Sequence, residues 1–175
     1  MNAVLPPTIF RYFAYGSNML TRRLQAPNRA PSAVAICIGY VEGRRLTFDK
    51  VSSDGSGKCD AEKTGTRSDR VYGVVFEIPL QEKPALDKAE GLEKGYREET
   101  VQVRTVTGRE SATTYIATKK ESILRPYHWY KALTIAGAVE HGLPGDYVEW
   151  LRTFESTEDP KVDRRAENEA LLFAS

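Results

Sequence analysis

The sequence holds little of what many catalytic and binding chemistries rely on. Cysteine occurs twice, as Cys37 and Cys59, and histidine twice, as His128 and His141, in 175 residues. Two cysteines do not make a disulfide scaffold, and a domain of this length builds its own core. A zinc site draws on three or four converging ligands, and no Cys-x-x-Cys or His-x-x-x-His spacing is present. No metal and no cofactor are therefore expected. The same scarcity weighs against a Ser–His or Cys–His nucleophile pair. An excess of one charge is missing as well: 25 Lys and Arg stand against 24 Asp and Glu, for a net charge of +1. Phosphate-backbone binding runs on counterion release, so nucleic acid is not an expected partner. Long apolar runs are absent too. The longest charge-free stretch, Ala30 to Val41, falls well short of the roughly 20 apolar residues that cross a bilayer. The first ten residues, with Pro6 and Pro7 and no basic start, do not read as a signal peptide. A cytoplasmic protein without membrane contact is expected.

What remains is an ordinary globular composition, 41% hydrophobic and 28% charged. The length fits one domain over residues 1–175, with 156–175 a charged, weakly patterned tail that wraps the surface or frays, and a monomer is the default. Phe10 to Tyr15 is β-prone and ends at Gly16. Ser17-Asn18 then precede Met19 to Leu24, an N-cap pattern that predicts a strand, a glycine turn and a helix. Ala33 to Val41 and Arg44 to Phe48 predict a hairpin about Glu42-Gly43. Residues 50–69, rich in Ser, Gly, Asp and Lys, read as a long loop. Cys59 falls in that loop, while Cys37 reads as a buried small hydrophobe. Val71 to Ile78 is a β run whose Gly73 marks a bulge or a close backbone approach. Pro84 to Glu90 reads as a helix closed by Gly91. Val101–Val106 and Ser111–Thr118 form a second hairpin, and helices follow over Tyr127–Glu140 and Pro144–Phe154. Many strands followed by helices, without regular βαβ alternation, place the chain in the α+β class.

Three groups of residues could carry chemistry. In Tyr12-Phe-Ala-Tyr-Gly-Ser-Asn18 the turn after the strand exposes backbone N–H groups at a helix start. Such donors favour an anion such as a carboxylate. Glu90 follows Leu86 by four residues and shares its inward side. A carboxyl set among apolar neighbours has a raised pKa, which suits a general base at neutral pH. Glu93, Glu98 and Glu99 are rival acids, and at most one of the latter two points inward. Tyr96, Tyr115, Tyr127 and Tyr130 could line a small-molecule pocket.

Tyr15-Gly-Ser-Asn18 after a strand, Val71-Tyr-Gly-Val-Val-Phe76 and Leu86-Asp-Lys-Ala-Glu-Gly91 followed by a tyrosine together resemble the γ-glutamylcyclotransferase family. Tyr130-Lys131 and Gly142-Leu-Pro144 with Tyr147 extend the likeness, which runs from about Tyr12 to about Phe154. The resemblance implies a small mixed β-barrel with flanking helices. It implies cyclisation of a γ-glutamyl amino acid or amine to 5-oxoproline, with release of the amino acid or amine. It places the family's acid/base glutamate on Glu90. Its substrate-holding segment falls on Tyr12, Phe13, Ala14, Tyr15, Gly16 and Ser17, and a pocket tyrosine on Tyr130. Tyr96 stands one residue closer to the glutamate than the family pattern implies, and residues 50–69 match no family pattern.

The implied reaction suits a chain poor in cysteine and histidine. The substrate's own α-amine attacks its own γ-carbonyl, so no protein nucleophile is required. Holding the chain in a reactive geometry is worth about 7–11 kcal/mol, which leaves one carboxylate to move protons. Two other readings are a non-catalytic small-ligand-binding or regulatory protein on the same fold, and an interaction module acting through the charged tail. Within the enzyme reading, glutathione, γ-glutamyl dipeptides, γ-glutamyl-lysine amines and a biosynthetic γ-glutamyl intermediate all share the reacting half.

Overall fold

A computed structural model describes residues 8–174; the readings made on the first seven residues lie outside that range. Five strands close a barrel: β1 (Ile9–Ala14), β2 (Val34–Glu42), β5 (Arg70–Pro79), β6 (Tyr96–Thr105) and β7 (Gly108–Ala117), in the order β1-β5-β2-β6-β7. Neighbours run antiparallel except where β1 meets β7, parallel, at Tyr12 and Thr113. That single parallel seam makes the barrel mixed, as expected for the α+β reading. Strand register explains the lining. Phe13 sits opposite Val75 and Tyr12 opposite Phe76, and Phe13, Val74, Val75, Phe76 and Val103 are at most 1% exposed.

A hairpin of Ala33–Val41 with Arg44–Phe48 is expected from the sequence; the structure separates the two segments. β3 (Arg44–Val51) leaves the barrel at Gly43, whose φ of 73° turns the chain away from β2. It pairs instead with β4 (Gly57–Lys63) in a two-stranded sheet. Residues 50–69 are therefore not a continuous loop. The weakly apolar Gly-Lys-Cys-Asp-Ala-Glu-Lys segment becomes a strand because β3 supplies a ladder and Cys59 and Ala61 fill its buried face. Cys59 is accordingly a buried strand residue, whereas Cys37 is half-buried.

After β1 the chain makes a 3₁₀ turn over Ser17–Met19 and a single helical turn, α1 (Thr21–Leu24). Neither start carries a side-chain cap, so the N-capped helix read from Ser17-Asn18 is corrected to a tight turn and one helical turn. The reason is tertiary. Asn18 turns its amide to Tyr12 and Glu90, and Ser17 offers its hydroxyl to Arg23. Helix α2 (Lys83–Glu90) has Pro84 in its first turn, buries Leu86 completely, and ends at Gly91 in the left-handed conformation, φ 73°, as the sequence predicts.

The β6–β7 hairpin also forms where expected. Helices α3 (His128–Glu140) and α4 (Gly145–Arg152) pack on each other, and α3 packs on the 3₁₀ turn. Gly137 of α3 lies so close to the 3₁₀ turn that a Cβ there would meet Leu20 N at 2.4 Å and Met19 C at 2.6 Å. The tail does not fray: α5 (Val162–Phe173) packs on α3. Buried Asp159 anchors it by accepting from Trp129 Nε1 at 2.8 Å and pairing with Arg164 at 2.6 Å. No helix among the described residues is long and apolar enough to cross a membrane.

Candidate active site

The turn after β1 and the C-terminal end of α2 face each other across a narrow cavity of about 30 Å³. Tyr12, Tyr15, Gly16, Ser17, Asn18, Cys59, Glu90, Tyr96, Tyr115 and Tyr130 line it. Ser17, Glu90, Tyr96 and Tyr130 also line an adjoining basin of about 120 Å³ with Arg23, Arg29, Lys50 and Lys58. Glu90 thus stands on the wall common to both. A wider surface depression of about 640 Å³, lined by Phe48, Trp150, Phe154 and Arg125 among others, contains none of these groups.

Glu90 is presented by the helix end that Leu86 buries and Gly91 stops. Its side chain is 17% exposed, and Oε1 takes both of its hydrogen bonds: from Asn18 Nδ2 at 2.5 Å and from Arg29 at 3.1 Å. Oε2 has no protein partner among the described residues. Arg29 also donates to Asn18 Oδ1 at 3.2 Å, and Asn18 Nδ2 to the Tyr12 hydroxyl at 3.2 Å. The apolar setting expected for Glu90 is therefore corrected. Leu86 lies one turn below, but the carboxyl itself meets the Asn18 amide, delivered by the 3₁₀ turn, and the Arg29 guanidinium, delivered by the chain that follows it.

Gly16 is needed for space. A Cβ there would lie 3.1 Å from the Cys59 Cβ, 3.1 Å from the Tyr130 hydroxyl and 3.3 Å from the Cys59 sulfur. Around it the tyrosines are pinned by β4 and β7. Tyr130 accepts the Cys59 N–H at 3.1 Å, and Tyr96 donates to the Cys59 carbonyl at 2.6 Å. Tyr15 donates to the Tyr115 carbonyl, and Tyr115 donates to Asp87 at 2.5 Å. Burial pushes the hydroxyls of Tyr12, Tyr15, Tyr96 and Tyr130 far above the ordinary phenol range, so they stay protonated. Burial also pushes the Cys59 thiol up to about 12. Neutral at working pH, it is a packed wall rather than a nucleophile.

Of the residues singled out from the sequence, the structure brings Tyr12, Tyr15, Gly16, Ser17, Glu90 and Tyr130 to one cavity, together with Tyr96 and Tyr115. The side chains of Phe13 and Ala14 do not line it: Phe13 lies in the core beside Gly73, and its carbonyl accepts the Thr114 hydroxyl. Tyr127 lies outside the cavity and donates to the Asp54 carbonyl. Neither Glu98 nor Glu99 lines it, since Glu98 pairs with Lys83 and Glu99 with Arg44; Glu93 occupies a left-handed turn, φ 64°.

Sequence reasoning missed Asn18 as a ligand of Glu90 and missed all four basin cations. Arg29 and Lys50 carry no local signal, because their roles depend on contacts across the fold. Lys58 is held by Asp54 at 2.7 Å and by the faces of Trp129 and Tyr130, each 4.5 Å away. Burial lowers its pKa to about 8, against the pull of Asp54.

A closed mixed barrel whose glycine turn and helix-end glutamate share one tyrosine-walled cavity defines the class. The model of the AIG2-like family matches residues 70–151. The gamma-glutamylcyclotransferase of Mus musculus is 35% identical over 154 residues, covering 85% of this chain and 80% of its own. That of Homo sapiens is 35% identical over 155 residues, covering 83% and 79%. A solved structure named gamma-glutamyl cyclotransferase superposes with a TM-score of 0.83 at 32% identity, covering 94% of this chain and 98% of its own. A yeast cyclotransferase described as specific to glutathione, at 13% identity and a TM-score of 0.52, shares the fold alone. The chain belongs to the γ-glutamylcyclotransferase family, a family of enzymes.

Proposed function

We propose that the chain is a γ-glutamylcyclotransferase that closes a γ-glutamyl amino acid or amine to 5-oxoproline, with Glu90 as general acid and base. The observation that carries this reading is the position of Glu90, opposite Gly16 on the wall common to cavity and basin. The glutamyl head group enters the tyrosine-walled cavity, whose side chains part to admit it, and the leaving group lies in the basin. The α-nitrogen attacks the γ-carbonyl carbon, the ring C–N bond forms, and the amide C–N bond breaks. Two protons in all pass from the α-nitrogen to the leaving nitrogen. Glu90 carries both in turn through Oε2 while Oε1 stays fixed by Asn18 and Arg29. Backbone donors near Gly16 and Ser17, with the Tyr12 hydroxyl, which accepts from Asn18 and keeps its own proton free, stabilise the developing oxyanion. One such donor is typically worth about 3–4 kcal/mol.

Both cysteines are free thiols, which fits a reducing, cytoplasmic setting. The test is to incubate the purified chain with γ-glutamyl dipeptides, γ-glutamyl amines and glutathione and to follow 5-oxoproline by mass spectrometry. Release from at least one compound is expected, and release from none overturns the reading.

A further inference from the structure

The basin beside Glu90 holds four cations, Arg23, Arg29, Lys50 and Lys58. Two of them are already neutralised, Arg29 by Glu90 and Lys58 by Asp54. No ion pair among the described residues uses Lys50 or Arg23. Four cations against two carboxylates leave a net charge of +2 in a partly enclosed space.

Lys50 is the more unusual of the two. It is 7% exposed, yet its ammonium has no anionic partner and rests on the Tyr96 ring, 4.3 Å from the centroid. Room for it is made by Gly95, where a Cβ would meet Lys50 Cε at 3.0 Å and Nζ at 3.2 Å. An ammonium taken out of water without a counter-charge is costly, and burial accordingly pulls the Lys50 pKa below its ordinary value. Arg23 is fixed from three sides. It donates to Ser17 Oγ at 2.9 Å and to Asn168 Oδ1 of α5 at 2.9 Å, and its guanidinium lies 5.6 Å from the Trp129 ring centroid. Two oriented cations held without anions form a receptor for anions supplied by a ligand.

We propose that Lys50 and Arg23 are specificity-determining residues that bind a carboxylate on the leaving group. The inference rests on the cyclotransferase reading and deepens it. A γ-glutamyl amino acid carries two carboxylates, one on the glutamyl head, which enters the tyrosine-walled cavity with its α-ammonium, and one on the released amino acid, which lies in the basin beside the two uncompensated cations. A γ-glutamyl amine carries only the first, and a polyamine leaving group would add positive charge to a basin already positive. Through Asn168 and Arg23, the C-terminal helix becomes part of the leaving-group subsite, although no residue of α5 lines the basin itself.

The experiment compares kcat/KM for γ-glutamyl-L-alanine and γ-glutamyl-L-alaninamide, which differ only in the leaving-group carboxylate. A charge-assisted hydrogen bond predicts that the wild-type protein favours the acid by about ten- to a hundredfold. Lys50→Met lowers turnover of the acid far more than that of the amide, so the ratio collapses towards one, and Lys50→Arg restores part of it; Arg23→Met, which also releases Ser17 Oγ, lowers the acid-to-amide ratio whatever it does to the two rates together. Equal wild-type turnover of the two compounds overturns the proposal without any variant. So does an equal loss on both substrates in folded Lys50→Met, the mark of a purely structural lysine. If no γ-glutamyl compound yields 5-oxoproline, the cyclotransferase reading itself fails. The subsite is then read on the wild-type protein by calorimetry with the same two compounds, and equal affinities overturn it.

Discussion

Replacing Gly137 with alanine sets helix propensity against tertiary packing, and the structure decides the sign. In an isolated helix the change is worth about 1 kcal/mol in favour of folding. Here the new methyl would meet backbone atoms of the turn that carries the site, Leu20 N at 2.4 Å and Met19 C at 2.6 Å, where ordinary contact begins near 3.4 Å. Restoring contact requires a retreat of about 1 Å by α3 or by the turn. Overpacking of this kind costs about 1–3 kcal/mol. The contact falls on backbone, which cannot rotate away, so the upper end applies and the net loss is about 2 kcal/mol. For a chain of this size that lowers Tm by about 4–8 °C.

The same displacement reaches chemistry. Met19 and Leu20 continue directly from Ser17 and Asn18, and Asn18 holds Glu90. A misplacement of about 1 Å can cost about a hundredfold in rate. Differential scanning calorimetry and 5-oxoproline release would be measured on Gly137→Ala beside Gly145→Ala, whose Cβ meets open space. Gly145→Ala should keep its Tm and its activity. A Gly137→Ala protein as stable and as active as wild type would refute the claim that α3 clamps the turn.

Two further outcomes follow from the buried polar network. Tyr130→Phe deprives the Cys59 N–H of its acceptor and should destabilise the fold by about 1–3 kcal/mol, seen in urea unfolding; an unchanged midpoint would contradict that bond. Asp54 is half-buried, which opposes its ionisation, but Lys58 and Ser56 outweigh this and hold its pKa at about 2 rather than 3.8. A carboxylate with a depressed folded-state pKa contributes stability that is complete above its unfolded value and is lost as pH falls through the folded one. The stability gap between wild type and Asp54→Asn should therefore narrow as pH drops from about 4 to about 2, and a constant gap would contradict the pairing with Lys58.

How far the fold was legible in the sequence depends on how local its causes are. Helix α2 and its glycine stop follow from Pro84, Leu86 and Gly91, residues whose roles are set within one or two turns. The β6–β7 hairpin is similarly local, and Gly73 marks a close approach, since a Cβ there would meet the Ala14 carbonyl at 2.3 Å. Strand β4 was hidden because its residues have little β propensity of their own, and the ladder with β3 and the burial of Cys59 and Ala61 supply what propensity does not. The false hairpin about Gly43 had the right turn residue but the wrong partners: β2 is taken up by β5 and β6, far along the chain, and β3 by β4. The tail looked unpatterned because its anchor, Asp159 on Trp129 and Arg164, is polar and long-range. The site divides in the same way. Glu90 could be singled out from its helix, whereas the electropositive basin is assembled from separate stretches of chain and has no sequence spacing to betray it.

The central claim is that one carboxyl moves the protons of ring closure. Glu90→Gln keeps the side chain's shape and can still accept from Asn18 and Arg29 through its amide oxygen, while losing the ability to carry a proton. The decisive measurement is the rate of 5-oxoproline release by that variant at saturating substrate, with substrate affinity checked separately. The account predicts a fall in kcat of about a hundred- to ten-thousandfold with affinity retained; release at close to the wild-type rate would contradict it.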